Sequence, residues 1–183
     1  MSTSAAGSSG HRLTTRPSEA AAALEIRPVT LDDLEVLIDI YLDTARHHAA
    51  IDSEVFHVPD RDAIAVRLRR RIEGRGVTGE YVAAMLSGEM VGSASVDIAD
   101  APSAGNMARA VPTAEFGVSV VDGWRGHGIG RALIEHLERW AADHGIERMI
   151  LTVSEANEGA IRLYHSMGYR DFDRVMLKRL ASQ

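Results

Sequence analysis

The residues with the clearest chemical potential lie in one short run, Arg125-Gly126-His127-Gly128-Ile129-Gly130-Arg131. It falls between a candidate strand and a strongly periodic helix. Alternating glycines let backbone approach a ligand closely and leave amide N–H groups free. A helix N-terminus adds partial positive charge, so the run reads as an anion site. Arg125 and Arg131 flank it with full charges and His127 can donate, which makes a phosphate or pyrophosphate the natural guest. A ligand-free tight turn is the plain alternative. Two other phosphate-binding patterns do not fit. A dinucleotide fingerprint needs glycine or alanine at its last position, where this chain has Arg131 or Leu133, and a P-loop needs Gly-Lys-Ser/Thr.

Several other side chains could take part in chemistry. Tyr164 lies on a helical stripe with Ala160, Ile161 and Met167, the spacing of a core aromatic or of a phenol held at a site. Asn157 opens that helix and is a favoured N-cap. Glu115 begins a strand, where a carboxylate is either a proton acceptor or a solvated strand end. His47, His48 and His57 cluster with Asp52 and Glu54 without an H-E-x-x-H spacing, so no metal is expected. Arg67, Arg69, Arg70 and Arg71 read as a solvated helix face rather than a patch for RNA or a phosphate.

The elements that must position these residues follow from periodicity and turn signals. Residues 1–24 are small and polar and are expected to form a disordered tail, with a single domain over 25–183. A strand over 24–29 precedes a helix that starts after Thr30, with Leu34, Leu37, Ile38, Tyr41 and Ala45 at helical spacing. A second helix follows Asp60 and buries Ile64, Leu68 and Ile72. Strands over 81–86 and 90–98 flank Ser87-Gly88 as an antiparallel hairpin. After a loop over 99–113 come a strand over 115–121, a helix over 128–144, a buried strand over 149–153, a helix over 157–167 and a last strand over 174–180. The strand–helix–strand unit across 115–153 predicts a parallel pair. The fold class is therefore mixed α/β, a central mixed sheet with helices on both faces.

Composition narrows the class of function. The chain has 183 residues, 45% hydrophobic and 25% charged, which fits one globular domain. It contains no cysteine, so disulfides, thiolate metal sites and a cysteine acyl-enzyme are ruled out. Its 20 basic and 26 acidic residues give a net charge of −6. That balance argues against generic binding of nucleic acid or an anionic membrane. The first ten residues lack a basic start or a long apolar stretch, so no secretory signal is read and a cytoplasmic location is expected.

Two segments together resemble one family. The first runs from Val118 through Asp122-Gly123-Trp124 and the Arg125–Arg131 turn to Leu133. The second is Asn157-Glu158-Gly159-Ala160-Ile161-Arg162-Leu163-Tyr164-His165-Ser166-Met167-Gly168-Tyr169. They resemble the acyl-CoA motif of the GNAT superfamily of N-acetyltransferases, whose pattern N-x-x-A-x-x-L-Y-x-x-x-G-F/Y follows an R-G-x-G-I/V-G turn. The resemblance covers roughly 25–180. Asp122 departs from it, standing where many members have proline.

The resemblance implies the GNAT fold and acetyl-CoA as co-substrate, with no metal. It puts the pyrophosphate on Arg125, Gly126, His127, Gly128, Ile129, Gly130 and Arg131. The pantetheine arm falls on the backbone of Val118 and Val120, and Asn157 also reaches the cofactor. Tyr164 would protonate the departing sulfur, a fitting task for a phenol of pKa about 10. Glu115 would serve as general base, with Asp97, His47 and His48 as rivals. The segment after the first helix implies acceptor contacts from His47, His48, Asp52, Phe56 and His57. The implied reaction moves acetyl to a primary amine of a small molecule or peptide by direct attack in a ternary complex. The other reading is a non-catalytic coenzyme A-binding module or sensor. The acidic balance points toward a cationic acceptor, no partner nucleic acid or membrane is implied, and a homodimer is compatible with the family.

Overall fold

The computed structural model describes residues 23–74, 78–100 and 109–178. The expectation of a tail over 1–24 therefore falls almost wholly outside the described residues. A five-stranded sheet runs in the order β1 (Glu25–Pro28), β2 (Gly79–Leu86), β3 (Glu89–Ile98), β4 (Thr113–Val120) and β5 (Arg148–Ile150). All neighbours are antiparallel except β4 and β5, which are parallel as the crossover predicts. The β2–β3 hairpin closes through Ser87 and Gly88 at φ 52° and 83°, the left-handed pair that a tight two-residue turn demands.

The pleat divides the side chains between two cores. Val82, Ala84, Ala94, Val96, Ala114 and Phe116 face α3 (Ile129–Asp143), whose Leu133, Ile134 and Leu137 are fully buried. Tyr81 and Ala83 face the other way, onto Leu37 and Ile38 of α1 (Leu34–Ile51) and Ile64, Leu68 and Ile72 of α2 (Arg61–Gly74). Helices thus cover both faces of the sheet, the arrangement expected from alternate burial along each strand.

Local signals set the helix starts. The Asp33 carboxylate accepts from the Thr30 N–H at 2.7 Å and from the Thr30 hydroxyl at 3.1 Å, at the start of a short 3-10 turn over Leu31–Asp33 that leads into α1. Arg27 grips the same carboxylate through both guanidinium arms at 2.7 and 2.8 Å and holds its pKa down to about 2. Asp60 accepts from the Asp62 and Ala63 N–H groups and starts α2.

Two sequence expectations need correction. The buried strand over 149–153 is only Arg148–Ile150, and the chain then leaves the sheet. The strand over 174–180 does not form over its described part, 174–178. Val175, Met176 and Leu177 are 90%, 88% and 74% exposed. An apolar run becomes a strand only where a ladder partner lies beside it. Here β5 is three residues long, and Arg174 instead reaches Glu155 at 3.7 Å.

Candidate functional site

The short pairing of β4 with β5 creates the site. Only Thr113, Ala114 and Glu115 pair with Arg148, Met149 and Ile150. Beyond that point 116–120 and 151–153 line a cleft of about 1000 Å³ instead of bonding to each other. The Val121 N–H donates to the Val91 carbonyl on β3, whereas the Val120 carbonyl faces the other way and accepts from Arg125 Nε at 3.1 Å. Backbone groups alternate in direction along a strand, so the N–H and C=O of Val118 share the open side with the Val120 carbonyl. The cleft is thus edged by an unpaired stretch of strand.

The glycine-rich turn closes one end. Gly126 and Gly128 have φ of 78° and 81°, and a Cβ at either would meet nothing within 4 Å. Both conditions suit a backbone that something else is to approach. Gly128 caps α3, and the first intrahelical bond is the Ala132 N–H to its carbonyl at 3.0 Å. The N–H groups of Ile129, Gly130 and Arg131 therefore have no helical acceptor and carry the positive end of the helix dipole. The Ile129 side chain is buried in the core, so this residue offers its amide alone. Gly130 differs again: its Cβ would lie 3.3 Å from Leu163 Cδ2 of α4 (Glu158–Ser166), so here the missing side chain permits close packing of two helices.

The charged residues of the turn divide by their partners. Arg125 is engaged by the Val120 carbonyl, by Asp43 at 3.1 Å and by Asp122 at 3.6 Å, so it ties the turn to β4 and α1. Arg131 lines the cleft and donates to the Ser166 hydroxyl at 2.7 Å, with no carboxylate partner among the described residues. His127 is exposed and outside the lining, its Nδ1 2.9 Å from the Arg125 carbonyl.

On α4, Asn157 Oδ1 accepts from the Ala160 N–H at 3.2 Å as N-cap, and the residue also lines the cleft. Tyr164 lines it too. Its ring stands edge-on to Phe116 and Tyr169 at 6.2 and 6.0 Å, and burial pushes its phenol above the usual value. Among the described residues, no group hydrogen-bonds to the Tyr164 hydroxyl.

The remaining expected residues are spread more widely. His47 and His48 line the cleft from α1, and burial, with His47 and Arg125 nearby, holds the His48 imidazole below its usual pKa. Phe56 is half-buried edge-on against His48 at 5.0 Å, outside the lining. Asp52 lies outside it as well and accepts from the Glu54 and Val55 N–H groups, shaping the turn after α1. His57 is exposed and elsewhere. Glu115 is exposed on the α1/α2 side of the sheet, next to Asp97 in register, and is not among the lining residues. Asp97 itself pairs with Arg71. Among the described residues, no three His, Asp or Glu side chains converge on a position that could hold a metal ion, and no helix is long and apolar enough to cross a membrane.

Sequence reasoning gave no site role to several residues of this cleft, among them four that carry polar or charged groups near α1 and α2. Arg67, Arg71, Tyr81 and Ser93 line it beside α1. Arg67 and Arg71 are one helical turn apart, flanking the buried Leu68. That spacing separates them from Arg69 and Arg70, which are exposed and outside the lining.

Known proteins place this geometry. The fold matches the crystal structure of a tetramutant of the BH1408 protein from Bacillus halodurans, with a TM-score of 0.73 at 20% identity, covering 85% of this chain and 99% of that one. It also matches aminoglycoside N-acetyltransferase AAC(6')-Iy in complex with CoA, with a TM-score of 0.67 at 18% identity, covering 91% and 100%. A curated relative, the uncharacterised N-acetyltransferase YobR of Bacillus subtilis (strain 168), is 38% identical over a shorter stretch that covers 28% of this chain. That stretch spans about a quarter, 26%, of the relative's length. Residues 37–169 match the model of the acetyltransferase (GNAT) family, which is well over half of the sequence, and the chain belongs to that family.

Proposed function

We propose that this protein transfers an acetyl group from acetyl-CoA to a primary amine by direct attack in a ternary complex. The observation that carries this is a single cleft holding both a helix N-terminus with free amides and a Tyr164 hydroxyl that has no partner among the described residues. The open space at Gly126 and Gly128 fits a pyrophosphate against the turn. In this reading the amides from Gly126 to Arg131 and the Arg131 guanidinium hold the phosphates, with His127 contributing only its backbone. Arg125 shapes the turn from within. The backbone of Val118 and Val120 holds the pantetheine arm as a strand partner would, and Asn157 adds its side-chain amide. When bound, acetyl-CoA would supply the thioester carbonyl as electrophile and sulfur as leaving group.

The chain's own residues then manage two protons. His48 takes one from the incoming amine. It lines the cleft and burial keeps it neutral, while Asp97 is held by Arg71 and Glu115 is exposed outside the lining. Tyr164 holds its proton firmly and gives it to the departing sulfur. With no cysteine in the chain, no acyl-cysteine can intervene. The reading is tested by thiol release from acetyl-CoA over an amine panel, together with thermal shifts. Acetyl-CoA far above its Kd stabilises the wild type by several kcal/mol, and Gly128→Val abolishes the shift. Stabilisation without thiol release from any amine makes the protein a binding module.

A further inference from the structure

We propose that the acceptor amine also carries an oxyanion, a carboxylate or a phosphate, and that Arg67 is the residue that recognises it. This rests on the acetyl-transfer reading above. Four arginines line the described part of the cleft, and their partners set two of them apart. Arg71 holds Asp97, and Arg125 holds Asp43 and Asp122. Arg131 and Arg67 have no carboxylate partner among the described residues. Arg131 enters beside the glycine-rich turn from α3, and Arg67 enters from α2. These helices pack on opposite faces of the sheet, so the phosphates that Arg131 serves do not occupy Arg67.

Arg67 is also held in place. Its Nη1 donates to the Tyr41 hydroxyl at 2.8 Å, and its guanidinium lies over the Tyr41 ring at 5.5 Å from the centroid. This leaves Nη2 and Nε, two adjacent donors, for a planar or tetrahedral oxyanion. The neighbouring lining adds the hydroxyls of Ser93, Ser95 and Tyr81, all more than nine-tenths buried, with Ser93 hydrogen-bonded to Tyr81. A polycationic acceptor would require carboxylates here. Glu158 is the one carboxylate in the described lining, and it sits on α4 paired with Arg162 at 3.1 Å. The carboxylate at this end, Asp97, is taken up by Arg71 and lies outside the lining, which leaves Arg67 as the cation without a carboxylate partner there among the described residues.

The test compares amines that differ only in the anion: phenylalanine with phenethylamine, lysine with cadaverine, and phosphoethanolamine with ethanolamine. Thiol release is measured for the wild type, Arg67→Gln and, as a control outside the cleft, Arg70→Gln. For at least one pair, the wild type prefers the anionic member by about tenfold or more in kcat/KM, the size of a hydrogen-bonded charge contact at a partly exposed site. Arg67→Gln removes that preference through KM, while the acetyl-CoA Kd stays within about twofold. The first two pairs against the third separate carboxylate from phosphate. Equal or better use of every uncharged member overturns the inference, and so does loss of acetyl-CoA affinity in Arg67→Gln. If no amine supports turnover, the acetyl-transfer reading fails and calorimetry decides this one. Binding of an anionic member to the wild type in the presence of CoA, lost in Arg67→Gln, upholds the oxyanion site, and absence of binding by all six refutes it.

Discussion

Replacing Tyr164 with phenylalanine separates a catalytic phenol from a packing aromatic. The ring is wedged edge-on between Phe116 and Tyr169, and phenylalanine keeps both contacts. The hydroxyl has no hydrogen-bond partner among the described residues, so its removal orphans no protein group, and stability should move by less than about 0.5 kcal/mol. In the transition state the situation differs. Burial keeps the phenol protonated past neutrality, so it is available as an acid when the carbon–sulfur bond breaks. Loss of a positioned general acid costs about 10²–10⁴ in rate, and water entering a cleft of this size can replace part of it, which brings the expected kcat loss to about 10- to 10³-fold. Because the contact forms only as the bond breaks, the acetyl-CoA Kd should change by less than about threefold, near 0.7 kcal/mol. The assay is thiol release with the best acceptor from the amine panel, alongside thermal melting with and without acetyl-CoA. A variant with wild-type kcat refutes the acid assignment and leaves Tyr164 as a core residue. One that melts normally but no longer binds acetyl-CoA makes it a binding residue.

Two further outcomes follow from the charges. With His48 as proton acceptor, kcat/KM has an acid limb below the usual imidazole value of about 6.5, and His48→Gln lowers the neutral-pH rate by about 10²–10⁴ and removes the limb. Glu115→Gln leaves the limb in place; the reverse pattern returns the role to Glu115. In the Arg27–Asp33 pair the carboxylate's folded pKa, about 2, lies below its ordinary 3.8, so its stabilisation is full above pH 4 and vanishes as pH falls through 2. Allowing for solvent screening, Asp33→Asn should cost about 1–2 kcal/mol in urea unfolding at pH 7 and almost nothing at pH 2. An equal loss at both pH values would contradict the linkage.

Much of this architecture is legible in the residues because local and long-range signals agree. The Ser87-Gly88 turn, the Thr30–Asp33 cap and the Leu133–Leu137 stripe each specify their element without outside help. The glycine-rich turn is equally self-contained, since left-handed backbone and a helix start are written in adjacent positions. What fails depends on neighbours. Residues 175–177 have a strand's composition, but the ladder that would take them up ends at Ile150. The side-chain period on α2 separates Arg67 and Arg71 from Arg69 and Arg70, yet only the assembled sheet shows that the first pair borders a cleft. The facing of Glu115 is legible in the strand: it is odd-numbered on β4, so its side chain shares the α1/α2 side of the sheet with Tyr81 and lies opposite those of Val118 and Val120.

The close passage of α3 over α4 at Gly130 makes the two ends of the cleft parts of one ruler. A methyl group there would press on Leu163 at 3.3 Å, and Leu163 is the residue before Tyr164. Leu163 Cδ2 is the end of a flexible side chain and would have to give by a few tenths of an ångström, so a side chain at Gly130 would be felt first on the α4 turn that carries the phenol.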